Sequence, residues 1–384
     1  MRKIITISLI LILIFASVAC DSNNGNENSG ATNDGQSEDG NNAESTPSKP
    51  PGFELALITD LGTIDDKSFN HGAWEGLAQY AREFNITHKY YQSASKDNDG
   101  YLGAIGLAVQ GGAKVIVTPG FLFEVPVFLA QDLYPDVKFI LLDGTPNNGD
   151  YGDFVVKIGD NTVSVAYAEE QSGFLAGYSA VKDGYRNLGF MGGMDVPAVI
   201  RFGLGYIQGA EFAAQELGLA DGSVKLNYFY TGTFDPAPEI QTMATSWYDD
   251  GVEVIFSCGG GIYFSIFPAA QKSGKKVIGV DVDQSDESEA VITSAMKLLT
   301  KSVYDCLADY YAGNFQGGKN LIYSAENLGV GLPMETSRFT SFSQSDYEDI
   351  YERLSNGSVV VDNDLEANPE TIPAKAVVVN FLGD

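Results

Sequence analysis

The sequence predicts an α/β protein of two similar lobes facing each other across a cleft, and three observations carry that expectation. Short apolar runs alternate with stretches of helical periodicity along most of the chain. The alternation breaks at Gly-Asp-Tyr-Gly-Asp, residues 149–153, and then restarts with the same grammar of strand, glycine-containing turn and helix. Several apolar runs end in a carboxylate, an aromatic ring or glycines, the residue types expected where the carboxyl edge of a parallel sheet meets a small ligand.

The first twenty residues read as a leader and stand apart from the fold. Arg2 and Lys3 form a basic start, residues 4–15 are uninterruptedly apolar, and Ser17-Val18-Ala19-Cys20 closes the segment. The apolar stretch is too short to span a bilayer comfortably. Small residues followed by cysteine resemble a lipobox, which makes Cys20 the expected lipidated first residue of the mature chain, although Ser17 stands where leucine is usual. Residues 21–51 are rich in Asn, Gly, Ser, Asp and Glu with almost no apolar side chains, so they are expected to be a flexible tether. The remaining chain is long enough for two lobes of ordinary size.

Beyond the tether, strands are expected near residues 55–58, 89–92, 115–118, 139–142, 188–191, 225–230, 254–257 and 277–280, with a last one at 376–381. Helical stretches lie at 100–110, 163–181, 203–217, 239–249, 262–272 and 344–354. Such alternation describes parallel sheets covered by helices on both faces.

Composition narrows the function. Fifty-one acidic residues against 23 basic ones give a formal charge of −28, of which the tether supplies only five (six acids against Lys49). Nucleic-acid binding needs clustered Lys and Arg, and anionic headgroups repel such a surface. A neutral ligand is not excluded. The usual catalytic constellations are missing: two histidines, His71 and His88, have no metal-ligand spacing, and there is no P-loop and no G-x-S-x-G elbow. Gly203, Gly205 and Gly209 fall inside a helical pattern and read as close helix packing. No enzyme activity, metal or cofactor is therefore expected. Cys258 and Cys306 read as buried small hydrophobes, and the sequence alone leaves open whether they pair.

The densest cluster of ligand-type chemistry is the turn between the first strand and the first helix, residues 59–76. It offers a carboxylate (Asp60), a ring (Phe69) and an amide (Asn70); Asp66 and Ser68 also have the character of helix caps. Asp143 closes the apolar run 139–142. Phe234 follows the strand 225–230 as a second candidate ring, with Tyr230 and Tyr206 as alternatives. Ser-Cys-Gly-Gly-Gly at 257–261 allows close backbone approach, and Asp281 ends the run 277–280.

The run Asp-Leu-Gly-x-Ile-Asp-Asp-Lys-Ser-Phe-Asn-x-x-Ala-Trp-Glu-Gly at 60–76 resembles the opening signature of the basic membrane protein family, lipoprotein solute receptors of ABC importers. Gly-Thr-Phe-Asp at 232–235, Gly-Val-Asp-Val-Asp-Gln at 279–284 and Thr-Ser-Ala-Met-Lys at 293–297 resemble its later segments. The resemblance implies a type I periplasmic-binding-protein fold: two Rossmann-like lobes, a hinge crossed three times and an interlobe cleft. The crossings are expected near 153–161, 281–288 and 321–328. Residues 52–157 with 285–323 then form the N-terminal lobe, and 158–284 with 324–384 the C-terminal one.

The resemblance also implies a purine nucleoside as ligand. Phe69 and Phe234 stack on the base and Asn70 pairs with it. Asp60, Asp143, Asp281 and Lys297 take the hydroxyls, with Lys301 as the alternative cation, while Gly260 brings its backbone close. Asp283 is expected near the hinge. A nucleotide suits so acidic a set poorly. Implied partners are an ABC permease and its ATPase, with the membrane reached through the lipid anchor and the receptor acting as a monomer. Two other readings keep the same features: another small solute such as a sugar or signalling molecule, or a surface adhesin.

Overall fold

In the computed structural model residues 52–383 are described, so the leader, the lipidation candidate Cys20 and the tether lie outside the described residues. The first lobe begins with β1 (Leu55–Thr59), α1 (Phe69–Glu83), β2 (His88–Gln92), α2 (Asn98–Gln110), β3 (Val115–Pro119), α3 (Glu124–Leu133), β4 (Lys138–Leu142) and β5 (Thr162–Tyr167). Every residue of β1 and β3 is buried, as their unbroken apolar runs require of strands covered on both faces. β2, at the sheet edge, is largely exposed.

The second lobe continues through α4 (Glu169–Lys182), β6 (Asn187–Gly192), α5 (Pro197–Glu216), β7 (Val224–Tyr230), α6 (Pro238–Asp249), β8 (Val254–Cys258), α7 (Tyr263–Ser273), β9 (Lys276–Asp281) and β10 (Val291–Lys297). The chain returns to the first lobe for α8 (Leu299–Tyr311), which packs on α1, and β11 (Lys319–Tyr323). It finishes in the second with β12 (Val330–Gly331), α9 (Gln344–Ser355) and β13 (Val377–Phe381). The sheet orders are β11-β5-β4-β3-β1-β2 and β12-β10-β9-β8-β6-β7-β13, and every pair is parallel except β10 with β12. In each sheet the strand order reverses once, between β1 and β3 and between β6 and β8, and such switch points open a crevice at the carboxyl ends of the strands.

Two exchanges come one strand later than the sequence suggests. β5 completes the first sheet although residues 163–181 read as one helix, and β10 belongs to the second sheet although the sequence places 285 onward in the first lobe. The chain crosses at Ala168, at Leu298 and between Tyr323 and Gly329. Thr162–Tyr167 runs into α4 with no glycine or proline between them, and this missing punctuation hides the strand inside a helical pattern. At the crossings the segments lie side by side: Ala168 N donates to Tyr323 O and Leu298 N to Gly329 O, each at 2.9 Å.

Of the three glycines read as helix packing, Gly205 and Gly209 meet the neighbouring helix, whereas Gly203 faces the Tyr228 hydroxyl of the sheet. Gly173 and Gly177 on α4, and Gly205 and Gly209 on α5, lie so close to the other helix that an added methyl group would meet its carbonyl oxygens at 2.0 to 2.1 Å. Cys258 and Cys306 are buried free thiols, with burial pushing Cys306 up to about 12. No helix among the described residues is long and apolar enough to cross a membrane.

Candidate functional site

Asp66 organises the turn after β1. Its carboxylate accepts the backbone N–H groups of Ser68 (2.9 Å), Asn70 (3.1 Å) and His71 (3.0 Å), occupying the first-turn donors of α1. Asn70 then links two carboxylates: its Nδ2 donates to Asp60 at 2.8 Å and to Asp66 at 2.9 Å, while its Oδ1 accepts from Asp60 N at 3.3 Å. Asn70 lines the cavity, but its amide is turned to the scaffold, so what it does here is hold Asp60. Burial pushes Asp60 up to about 6, against the bonds from Gly62 and Asn70.

Asp143 and Asp281, at the carboxyl ends of β4 and β9, both have left-handed backbones (φ 50° and 68°). Aspartate tolerates that conformation better than most residues, and two strained carboxylates at facing strand ends are typical of a ligand clamp. Between them sits Lys297, 3% exposed, whose Nζ lies 2.5 Å from Asp143 Oδ2, 3.4 Å from Asp281 Oδ1 and 3.7 Å from Glu169 Oε1. Burial opposes its charge, but Asp143, Asp281 and Glu169 together hold Lys297 above the ordinary lysine range. Burial pushes Asp143 up to about 6 despite Lys297. One oxygen of Asp143, Oδ1, is buried with no hydrogen-bond partner among the described residues.

The cluster spans both lobes. Lys297 reaches from β10 to Asp143 on the first lobe, and Ser68 Oγ reaches from the first lobe to Asp281 Oδ2 at 2.5 Å. Lys297 Nζ also stands 4.4 Å from the centre of the Phe69 ring, close enough for a cation–π contact.

Phe234 supplies the second lobe's wall, in the loop that follows β7. Its ring rests on Gly193 and Gly259, where a Cβ atom would meet ring carbons at 2.4 and 3.0 Å, and Gly260 lies against its Cβ. Gly259 (φ 152°) and Gly260 (φ 47°) adopt backbones that side chains resist, so the glycine turn seats the ring as well as opening the backbone.

Asp60, Phe69, Asn70, Asp143, Phe234, Gly260, Asp281 and Lys297 all line one cavity of about 370 Å³ between the lobes. The alternatives lie elsewhere: Tyr206 is in the core, Tyr230 is off the cavity wall, and Lys301 is on the surface paired with Asp305. Asp283 lies outside the wall, holding Ser285 N and Thr336 Oγ1. Sequence reasoning missed Arg201, Phe202 and Phe121 on the wall and Glu169 behind it. Arg201 alone had a signal, as one of few arginines in so acidic a chain. Among the described residues no cluster of His, Cys, Asp and Glu is arranged to hold a metal ion.

Two α/β lobes, three crossings and a ligand-sized cavity fed by the strand ends of both define the class of solute-binding proteins with the type I periplasmic fold. The chain belongs to the Bmp family of PnrA-like ABC transporter substrate-binding proteins, whose model matches residues 53–363. It is similar to the ABC transporter nucleoside-binding protein BmpA of Lactococcus lactis, 30% identical over 74% of this chain and 82% of that one. It is also similar to basic membrane protein B of Borreliella burgdorferi, 29% identical over 76% of this chain and 83% of that one. Among solved structures, a solute-binding protein of an ABC transporter system from Aeropyrum pernix K1 superposes with a TM-score of 0.68. It is 22% identical and covers 81% of this chain and 94% of that one, a likeness of fold.

Proposed function

We propose that the protein is a membrane-tethered receptor that binds purine nucleosides in the interlobe cleft and delivers them to an ABC permease and its ATPase. Cys20 carries the lipid anchor, residues 21–51 form the tether, and the receptor works as a monomer. Its mechanism is binding: the ligand bridges the lobes and shifts a hinge equilibrium toward the closed form.

The observation that carries this reading is the pairing, in one cavity, of a ring from each lobe with buried carboxylate acceptors. Phe69 and Phe234 suit a flat base. Asp60, Asp143 and Asp281 suit ribose hydroxyls, and Lys297 offsets their charge. The relative from L. lactis is itself described as nucleoside-binding.

Calorimetry on unfolded, ligand-stripped and refolded protein against adenosine, inosine, guanosine, uridine and ribose tests the reading. Heat is expected with purine nucleosides, and its absence with every nucleoside would sink it. Phe69→Ala is expected to weaken binding by roughly 1 to 3 kcal/mol through lost stacking, while Asp283→Asn changes it little. Unchanged affinity in Phe69→Ala would remove the stacking role.

A pH dependence arises from Asp60 and Asp143. Both are raised from 3.8 to about 6, so the empty site holds protons below that pH which it loses above it. Ligand hydroxyls bind the ionised carboxylates, so binding releases protons and affinity falls as pH drops below about 6. The fall is about tenfold per pH unit for each group. Titrations at pH 5 and pH 7.5 check the sign, and equal affinity at both would show that neither carboxylate takes part.

A further inference from the structure

Two cations border the cavity, and a third carboxylate, outside its wall, faces both. Glu169 opens α4 and is fully buried, in a first helical turn where a carboxylate is favourably placed. Its Oε2 accepts from Arg201 Nε at 2.7 Å, and its Oε1, 3.7 Å from Lys297 Nζ, has no hydrogen-bond partner among the described residues. Arg201 lines the cavity, and beyond its bond to Glu169 its terminal amino groups make no hydrogen bond among the described residues. Around this point Lys297 and Arg201 stand against Asp143, Asp281 and Glu169, with Glu170 beside them. Without Glu169 the Arg201 guanidinium would stand uncompensated at the cavity, a planar donor suited to a phosphate ester, while Lys297 would keep Asp143 and Asp281. With it, the surplus charge is negative, and a dianionic group entering the cavity meets repulsion in a poorly solvated place.

We infer that Glu169 is a specificity-determining residue: by neutralising Arg201 and adding its charge beside Lys297 from behind the cavity wall, it restricts the site to uncharged ligands and excludes their phosphorylated counterparts. The inference rests on the nucleoside reading above. Glu169 touches no ligand; it acts by setting the charge that Arg201 and Lys297 present.

The test compares inosine with inosine 5′-monophosphate by calorimetry in the wild type and in Glu169→Gln. The ratio of nucleotide to nucleoside affinity is expected to rise at least tenfold in Glu169→Gln and to stay near the wild-type value in Glu169→Asp, which keeps the charge. A purely structural role would weaken both ligands together and leave the ratio unmoved, which would overturn the inference. Should Glu169→Gln fail to fold, Glu169→Gln combined with Arg201→Lys keeps the positive charge at the cavity on a flexible ammonium that does not depend on the lost carboxylate. A cation then stands there uncompensated, so the ratio must still rise severalfold, and an unchanged ratio again overturns the proposal. The two readings fail separately: a wild type that binds no inosine counts against the nucleoside assignment, whereas one that binds inosine with an unmoved mutant ratio counts against Glu169 alone.

Discussion

Replacing Lys297 with methionine is expected to cost about 3 to 5 kcal/mol of folding stability and to abolish measurable ligand binding. The stranded carboxylates set the size of the loss. Methionine fills a similar volume, but Asp143, Asp281 and Glu169 would remain near one another with their common counter-ion gone. Removing one partner of a buried ionic group is far more harmful than replacing the group as a whole, because the charges left behind keep their desolvation cost. The contact between lobes is also lost, since Lys297 and Asp143 sit on opposite sides of the cleft. Urea denaturation of both proteins measures the loss, and a change below about 1 kcal/mol would rank the pair with exposed salt bridges.

Gly205→Ala is expected to be comparably damaging, although it adds a single methyl group. That methyl would stand 2.0 Å from the carbonyl oxygen of Glu170, a backbone atom that moves only if α4 and α5 separate. Overpacking of this kind costs about 3 kcal/mol or more when the neighbour cannot yield. Gly103→Ala makes the control, because nothing lies within 4 Å of its added methyl at an exposed position of α2, and there the exchange is expected to stabilise by about 0.5 to 1 kcal/mol. Thermal unfolding of the pair separates glycine as spacer from glycine as weak helix former. Equal shifts in both would remove the close-packing role.

Much of this architecture was legible because parallel strands buried on both faces leave unbroken apolar runs such as Val115–Pro119, and because strand ends announce themselves with polar residues. Asp143 could be picked out from that edge alone, and Asp281 through the resemblance of residues 279–284 to a family segment. β5 was not legible, since Thr162–Tyr167 carries neither a turn residue nor a break before α4. The charge behind the cavity was hidden for another reason. Glu169 and Arg201 lie 32 residues apart on two helices, and only the glycine-mediated approach of α4 to α5 brings them together. Asn70 shows the converse: its position at the cavity was readable, but its commitment to Asp60 and Asp66 depends on how the turn closes.

The side-by-side crossings at Ala168, Leu298 and 323–329 have a consequence for the chain's history and handling. Each lobe is assembled from stretches that belong to no single continuous segment, so no truncation of the gene can yield either lobe by itself. A protease that nicks one crossing leaves the halves joined by two others. Exchange of one lobe between relatives would need three coordinated cuts.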